Sequence, residues 1–135
     1  MKVLIVEDSE DMRENLTDLL SGMQSVEVIG HAEDESDAIK YIDGLLPDVV
    51  TLDLNLRSGS GMAVLKYIKK HHAAIKVIVL TNCTDRFYAD SCKSDGADFF
   101  FDKILQFSRV QPVIWAWVNE GRTPKNIAAL ERFRI

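Results

Sequence analysis

The chain has 135 residues, 47% of them apolar, and a formal net charge of −5, which predicts one domain with a single buried core. The negative charge disfavours direct binding of nucleic acid, because phosphate contacts require cations. The apolar runs are far shorter than the roughly 20 residues that span a bilayer and the N-terminus has no signal peptide, so we expect a cytoplasmic protein without a membrane partner.

Short apolar runs alternate along the chain with segments of helical period, which predicts βα units around a parallel sheet. The first two strands are predicted at residues 3–6 and 26–29. Ser9 is a candidate N-cap for the first helix, and a second helix is predicted over residues 34–43. The predicted inner face of the first helix comprises Met12, Leu16, Leu19, Leu20 and Met23.

The second half of the chain continues this alternation. Three further strands are predicted at residues 49–52, 77–80 and 99–101. Pro112 is well placed in the first turn of a last helix, because a proline there costs no hydrogen bond. The helix between the third and fourth strands is marked by Val64, Leu65 and Ile68.

A helix predicted over residues 85–95 is expected to be the least stable one. It contains several poor helix formers, among them Asp90 and Ser91. Its predicted buried face is small and consists of Phe87, Tyr88, Ala89 and Cys92. This helix is therefore a candidate for an element with two arrangements of similar energy.

Residues 121–135 differ in composition from the rest of the chain. They contain four basic residues against one acidic residue. Thr123 followed by Pro124 has the pattern of an N-cap and a first helical position, which predicts a short extra helix over residues 125–133. We therefore divide the chain into a globular domain at residues 1–120 and a basic C-terminal tail at residues 121–135.

Polar side chains end four of the predicted strands: Glu7 and Asp8 follow the first, Asp53 the third, Thr81 the fourth and Lys103 the fifth. In an open parallel sheet, ligands bind at the carboxyl ends of the strands, so we expect these groups to meet there. Three crowded carboxylates repel one another and require a cation. Oxygen donors without His or Cys favour Mg²⁺.

The same residues suit phosphoryl transfer to a carboxylate. Asp53 would be the nucleophile, Lys103 would neutralise the phosphoryl oxygens and Thr81 would donate its hydroxyl proton. Taken singly, each of these residues is more often a cap or an ordinary surface residue. Their occurrence at four strand ends favours a site over separate structural roles.

Several stretches resemble the receiver domain of two-component response regulators, over about residues 1–120. They are residues 4–9, residues 47–54, Gly61, Thr81 and residues 96–103. The resemblance implies an α/β fold, a doubly wound (βα)5 flavodoxin-like five-stranded parallel sheet of order 2-1-3-4-5. It also implies that Asp53 is the phosphoacceptor.

The resemblance further implies the ligands of the Mg²⁺ ion. They are Asp8, Asp53 and the main-chain carbonyl of Asn55, with Glu7 acting through water. Thr81 and Lys103 are implied to bind the phosphoryl oxygens. Thr81 and Phe100 are implied to form the switch.

The function that follows is a phosphorylation-dependent signalling switch. A histidine kinase or phosphotransfer protein would donate the phosphoryl group, and an unknown downstream protein would bind the phosphorylated form. We also expect a possible homodimer through the face formed by residues 85–120. We expect that the protein is not an enzyme, although as a receiver it would promote its own phosphorylation and dephosphorylation.

Other functions fit parts of the same pattern. One is a pseudo-receiver that binds partners without phosphorylation, and another is a receiver acting with a separate DNA-binding output. A third is a phosphohydrolase that turns over an aspartyl phosphate. Such an enzyme needs a second catalytic acid near the nucleophile and a cap that covers the substrate. We expect no such cap, because this sequence has no room for one.

Three positions depart from the family pattern. Ile104 stands where a proline usually follows the lysine, so we expect a remodelled loop there. Asn82 replaces the usual small residue after the threonine, which predicts narrower access to the phosphoryl group or an added donor. Arg57 replaces a common proline four residues after the acceptor. None of these changes removes a reacting group.

Overall fold

The computed structural model describes residues 1–120, which form five parallel strands with helices on both sides of the sheet. The strand order β2-β1-β3-β4-β5 confirms the predicted doubly wound fold. The basic tail at 121–135 and its predicted helix at 125–133 lie outside the described residues. The strands are β1 (Lys2–Val6), β2 (Glu27–Ala32), β3 (Val49–Leu52), β4 (Lys76–Thr81) and β5 (Phe99–Asp102).

The helices are α1 (Glu10–Ser21), α2 (Glu35–Leu45), α3 (Gly61–His71), α4 (Arg86–Ser94) and α5 (Val110–Val118), the last preceded by a 3-10 turn at Phe107–Arg109. The first four begin where a side-chain oxygen accepts a hydrogen bond from a main-chain N–H of the first turn. These N-caps are Ser9, Asp34, Ser60 and Asp85. Within residues 1–120, the helices are too short or too polar to cross a bilayer.

Two apolar layers enclose the sheet and fix its register. On β3, Val50 and Leu52 pack into the layer covered by α2, α3 and α4, whereas Val49 packs into the layer covered by α1 and α5. The central strands β1, β3 and β4 are thus covered on both faces. A slip of one residue in their pairing would exchange these two sets of side chains, so the register is strongly specified.

Strand β2 is longer than its sequence indicates. We predicted it over residues 26–29. In the structure, Gly30 pairs with Leu4 and His31 with Ile5, which extends the strand to Ala32. Because β2 lies at the edge of the sheet, it tolerates polar residues that a central strand would exclude.

The predicted buried face of α4 is wrong at Phe87, whose side chain is 73% exposed. The inner stripe of this helix is formed by Tyr88 and Cys92, one helical turn apart, and only Cys92 is fully buried. Phe87 precedes Tyr88 by one residue and therefore points about 100° away from that stripe. Of the two tryptophans, Trp117 is buried and Trp115 is exposed.

Gly61, the first residue of α3, offers a test of this packing. A Cβ placed there would collide with the carbonyl oxygen of Asp53 and with Cα of Leu54, both in the main chain. We expect Gly61→Ala to lower the free energy of unfolding by about 1–3 kcal/mol, the usual cost of overpacking. Chemical denaturation measures this change.

Gly44 in α2 is the matched control, because a Cβ there would meet nothing within 4 Å. In a helix, alanine is favoured over glycine by about 0.5–1 kcal/mol, so Gly44→Ala should leave the protein equally or more stable. Equal effects of the two substitutions would contradict the packing described for Gly61.

Candidate functional site

The structure brings together the polar residues that end the strands. Glu7 follows β1, Asp53 follows β3, Thr81 ends β4 and Lys103 follows β5, all at the carboxyl edge of the sheet. These four residues are buried, with relative exposures between 0% and 8%, whereas Asp8 is exposed. Buried charges at one edge of a sheet must be paired, and the pairing defines the site.

The carboxylate of Asp53 lies at the centre of this group. Its Oδ1 accepts hydrogen bonds from the hydroxyl of Thr81 at 2.8 Å and from the main-chain N–H of Asn55 at 3.2 Å. Its Oδ2 lies 2.6 Å from the ammonium of Lys103. Three donors from different parts of the chain therefore orient one carboxylate.

Lys103 pairs with a second carboxylate as well. Its Nζ lies 2.6 Å from Oε1 of Glu7, whose Oε2 accepts a hydrogen bond from the main-chain N–H of Ser9. Burial by itself lowers the pKa of Lys103, but the hydrogen bonds to Asp53 and Glu7 outweigh it and raise the pKa above its usual value. The lysine therefore remains charged between two acids.

The carboxyl group of Glu7 has a strongly shifted pKa. Burial raises the pKa of its carboxyl from 4.5 to about 7, and the nearby charge of Asp53 acts in the same direction. The hydrogen bonds from Lys103 and Ser9 oppose this rise. Glu7 consequently changes its protonation near neutral pH.

The three acids form a group that fits a divalent cation. One carboxylate oxygen from each of Glu7, Asp8 and Asp53 lies within 4.8 Å of the other two, a cluster found among residues 1–120. The donors are oxygens only, which suits a hard cation such as Mg²⁺ or Mn²⁺. Asp8 is exposed and leaves the cluster open to solvent. The donor set therefore fits a hard divalent cation, the class to which the expected Mg²⁺ belongs.

Thr81 connects the site to the segment before α4. Its Oγ1 donates to Asp53 and accepts a hydrogen bond from the main-chain N–H of Cys83 at 3.1 Å. Phe100 lies on the neighbouring strand β5, is half-buried and packs against the core on the side of α2, α3 and α4. The two residues named as a switch therefore lie on adjacent strands.

Sequence reasoning missed a set of ion pairs next to the acidic cluster. Arg57 pairs with Glu33 and Asp34, and Glu33 pairs with Arg13. The one available signal was Arg57 itself, which replaces a residue without charge in the family pattern. Its two partners could not be inferred, because they belong to a distant part of the chain.

The other two departures from the family pattern lie at the surface. Asn82 is exposed, and Ile104 has a relative exposure of 76%. Asp102 shapes the loop after Lys103, since its Oδ1 accepts hydrogen bonds from the main-chain N–H groups of Ile104 and Leu105.

Comparison with known proteins agrees with the geometry. The family model of the response regulator receiver domain matches residues 3–114, which confirms the resemblance described above. A protein-glutamate methylesterase/protein-glutamine glutaminase 2 of Koribacter versatilis is 39% identical over 84 residues. The matched part is 62% of this chain and only 23% of that protein.

Solved structures show the same fold. The response regulator domain of Thermotoga maritima CheB is similar with a TM-score of 0.76 and 29% identity, over 89% of this chain and 94% of that chain. A chain of the CheX-CheY-BeF3-Mg²⁺ complex from Borrelia burgdorferi gives a TM-score of 0.76 and 27% identity, over 87% of this chain and 89% of that chain.

These relatives contradict one prediction. We expected no enzyme, yet the Koribacter relative is named as an esterase and glutaminase, and the Thermotoga domain belongs to a CheB protein. The names describe whole proteins, whereas the similarity covers 23% of the Koribacter relative. The expectation rested on the receiver-like residues, which contain no signal for the activity of such a protein.

The raised pKa of Glu7 predicts how a divalent cation changes stability with pH. Because the folded-state pKa of about 7 exceeds the ordinary 4.5, the stabilising contribution of this group is present below pH 4.5 and is lost as the pH rises through 7. A bound cation offsets the loss. We expect Mg²⁺ to raise Tm more at about pH 8 than at about pH 6, as measured by scanning calorimetry.

Two variants control this measurement. Glu7→Gln removes the titrating group, so the rise in Tm should no longer depend on pH over this range. Glu14→Gln changes an exposed residue of α1 and should behave like the wild type. An equal rise at both pH values in the wild type would contradict the assigned pKa shift.

Proposed function

The chain belongs to the response regulator receiver family, and from this we propose that it is a phosphorylation-dependent switch that accepts a phosphoryl group on Asp53. One observation carries the proposal. The buried carboxylate of Asp53 has a hydroxyl, an ammonium group and two further carboxylates around it. Transfer of a phosphoryl group to a carboxylate requires these groups.

The reaction forms one bond and breaks another. An oxygen of Asp53 attacks the phosphorus atom, and the bond between phosphorus and the leaving atom of the donor breaks with its electron pair. Lys103 neutralises charge on the phosphoryl oxygens, and Thr81 donates its hydroxyl proton to one of them. The leaving group takes a proton from solvent, and the product is an acyl phosphate.

A Mg²⁺ ion would supply the remaining neutralisation when bound. Asp8, Asp53 and the main-chain carbonyl of Asn55 would hold it, and Glu7 would act through water. Lys103 already pairs with Asp53 and Glu7, so part of the negative charge of the cluster is balanced beforehand. The family match and the oxygen-only donor set support this assignment.

The donor that we propose is a histidine kinase or a phosphotransfer protein, and the receiver signals through contacts with another protein. The similar Borrelia chain comes from a complex with BeF3, Mg²⁺ and a second protein. The name of the Koribacter relative favours one specific output, a methylesterase governed by the receiver. That activity would reside in parts of such a protein that this chain does not match.

The conformational response that we propose starts at Thr81. When its hydroxyl proton turns to a phosphoryl oxygen, the hydrogen bond from Cys83 requires the segment before α4 to follow. Only Cys92 of α4 is fully buried, so little packing opposes a shift of this helix. Phe100, half-buried on the neighbouring strand β5, rotates into the space that Thr81 leaves.

Phosphorylation can be tested directly. The protein is incubated with Mg²⁺ and a small phosphodonor such as acetyl phosphate, and intact-mass spectrometry follows the gain of one phosphoryl group. We expect gain in the wild type and in Asp18→Asn, an exposed control on α1, and none in Asp53→Asn. A wild type that binds Mg²⁺ but gains no mass would favour a pseudo-receiver.

The proposed role of Thr81 predicts that a substitution at this residue can leave phosphorylation of Asp53 possible and still abolish the conformational response. In Thr81→Val, the shape is kept but the proton donor is lost, so Asp53 should still accept a phosphoryl group, more slowly. Hydrogen exchange of residues 82–94 should then be equal with and without BeF3, whereas it should differ in the wild type. A full exchange response in Thr81→Val would contradict the switch.

A further inference from the structure

Arg57, in the loop between β3 and α3, ties that loop to the segment between β2 and α2. Its Nη1 lies 2.7 Å from Oε2 of Glu33, and its Nη2 lies 2.8 Å from Oδ2 of Asp34. Its main-chain N–H also donates to the carbonyl oxygen of Glu33 at 3.1 Å. The planar guanidinium thus engages two neighbouring carboxylates through two separate nitrogens, and lysine has no such rigid fork.

The same loop is held at its other end by Glu35. The main-chain N–H of Glu35 donates to the carbonyl oxygen of Ser58 at 3.0 Å, and its Oε1 accepts from the N–H of Ser60 at 2.9 Å. Gly59 lies between these contacts with a φ of +78°, and a Cβ there would lie 2.5 Å from Cβ of Glu35. The loop therefore rests closely on residues 33–35.

Arg13 extends these contacts to the acidic cluster. Its Nη2 lies 3.0 Å from Oε1 of Glu33, and its Nη1 donates to the carbonyl oxygen of Glu7 at 3.0 Å. Glu33 consequently binds one arginine from α1 and another from the loop. Through these two ion pairs, the main chain at Glu7 and the loop that contains Asn55 are held against a common carboxylate.

We propose that Arg57 is a positioning residue for the divalent cation, which it does not itself contact. By fixing the loop on Glu33, it holds Asn55 beside Asp53. The main-chain N–H of Asn55 already donates to Asp53, and Asn55 lies two residues before Arg57, so few rotatable bonds remain between the two anchors. This inference rests on the function proposed above, because it concerns the same cation site.

Prior ordering of this loop favours binding. A ligand held in place before the ion arrives loses less conformational entropy on binding than one that must become ordered. An isolated, exposed ion pair would contribute little. Here the exposed guanidinium is combined with main-chain hydrogen bonds at both ends of the loop, so the contacts act as one unit.

The charge of Arg57 and its contacts with the loop predict opposite changes in Mg²⁺ affinity when Arg57 is replaced. Loss of a cation beside an acidic cluster makes the local potential more negative, and Coulomb attraction alone would then tighten Mg²⁺ binding. Release of the loop would weaken it, because the ligand must be ordered during binding. The direction of the change in Kd therefore separates the two effects.

The test is isothermal titration of the full chain with Mg²⁺. We expect Kd to rise about threefold to tenfold in Arg57→Gln, somewhat less than the change typical of groups in direct contact with a metal ligand. Gly59→Ala disturbs the same loop without a change of charge and should also raise Kd. Arg57→Lys should raise it too, since it retains the charge and loses the forked geometry.

Arg86→Gln is the matched control. It removes one cation from an exposed ion pair with Asp90 in α4 and should leave Kd unchanged. Unchanged or tighter binding in Arg57→Gln or in Gly59→Ala would overturn the inference, provided that Tm shows each variant to be folded. A wild type that binds no Mg²⁺ would overturn the proposed function as well, so the two failures are distinguishable.

Discussion

The structure of the site depends on one buried ammonium group placed between two buried carboxylates. Lys103 reaches the edge of the sheet from β5 and binds both Asp53 and Glu7. Removing these groups from water in their charged forms is costly, and the contacts with Lys103 recover only part of that cost for Glu7, whose pKa is raised to about 7. The ends of β1, β3 and β5 are thereby required to lie together, and the strand order makes this possible.

The sheet satisfies this requirement because its central strands are packed on both faces. Residues of β1 and β3 alternate between two apolar layers, so their ends cannot shift along the strand without exposing one layer. The packed strands end in polar residues, whereas α4, which follows β4, has only Cys92 fully buried. A precise arrangement of charges at one edge and a loosely packed α4 nearby are therefore compatible within a single small domain.

Local patterns in the sequence predicted the alternation of strands and helices, most element boundaries and the residues of the acidic cluster, whereas the strand order followed from the resemblance to receiver domains. A polar residue directly after a buried apolar run marks the end of a strand, as at Asp53. The length of β2 could not be predicted, since Gly30 and His31 pair in the sheet only through contacts with β1. The ion pairs of Arg57 were missed for a similar reason, because its partners are distant in sequence. The orientation of Phe87, in contrast, follows from helical geometry, which separates consecutive residues by about 100°.

The hydroxyl group of Thr81 has a single hydrogen atom. In the structure the hydroxyl donates this hydrogen to Asp53, and its oxygen accepts a hydrogen bond from the main-chain N–H of Cys83. One hydrogen cannot be donated fully to two acceptors, so in the switch proposed above Thr81 would donate either to Asp53 or to a phosphoryl oxygen. On that proposal, the size of the response in a population would be set by the fraction of molecules in each of these two states.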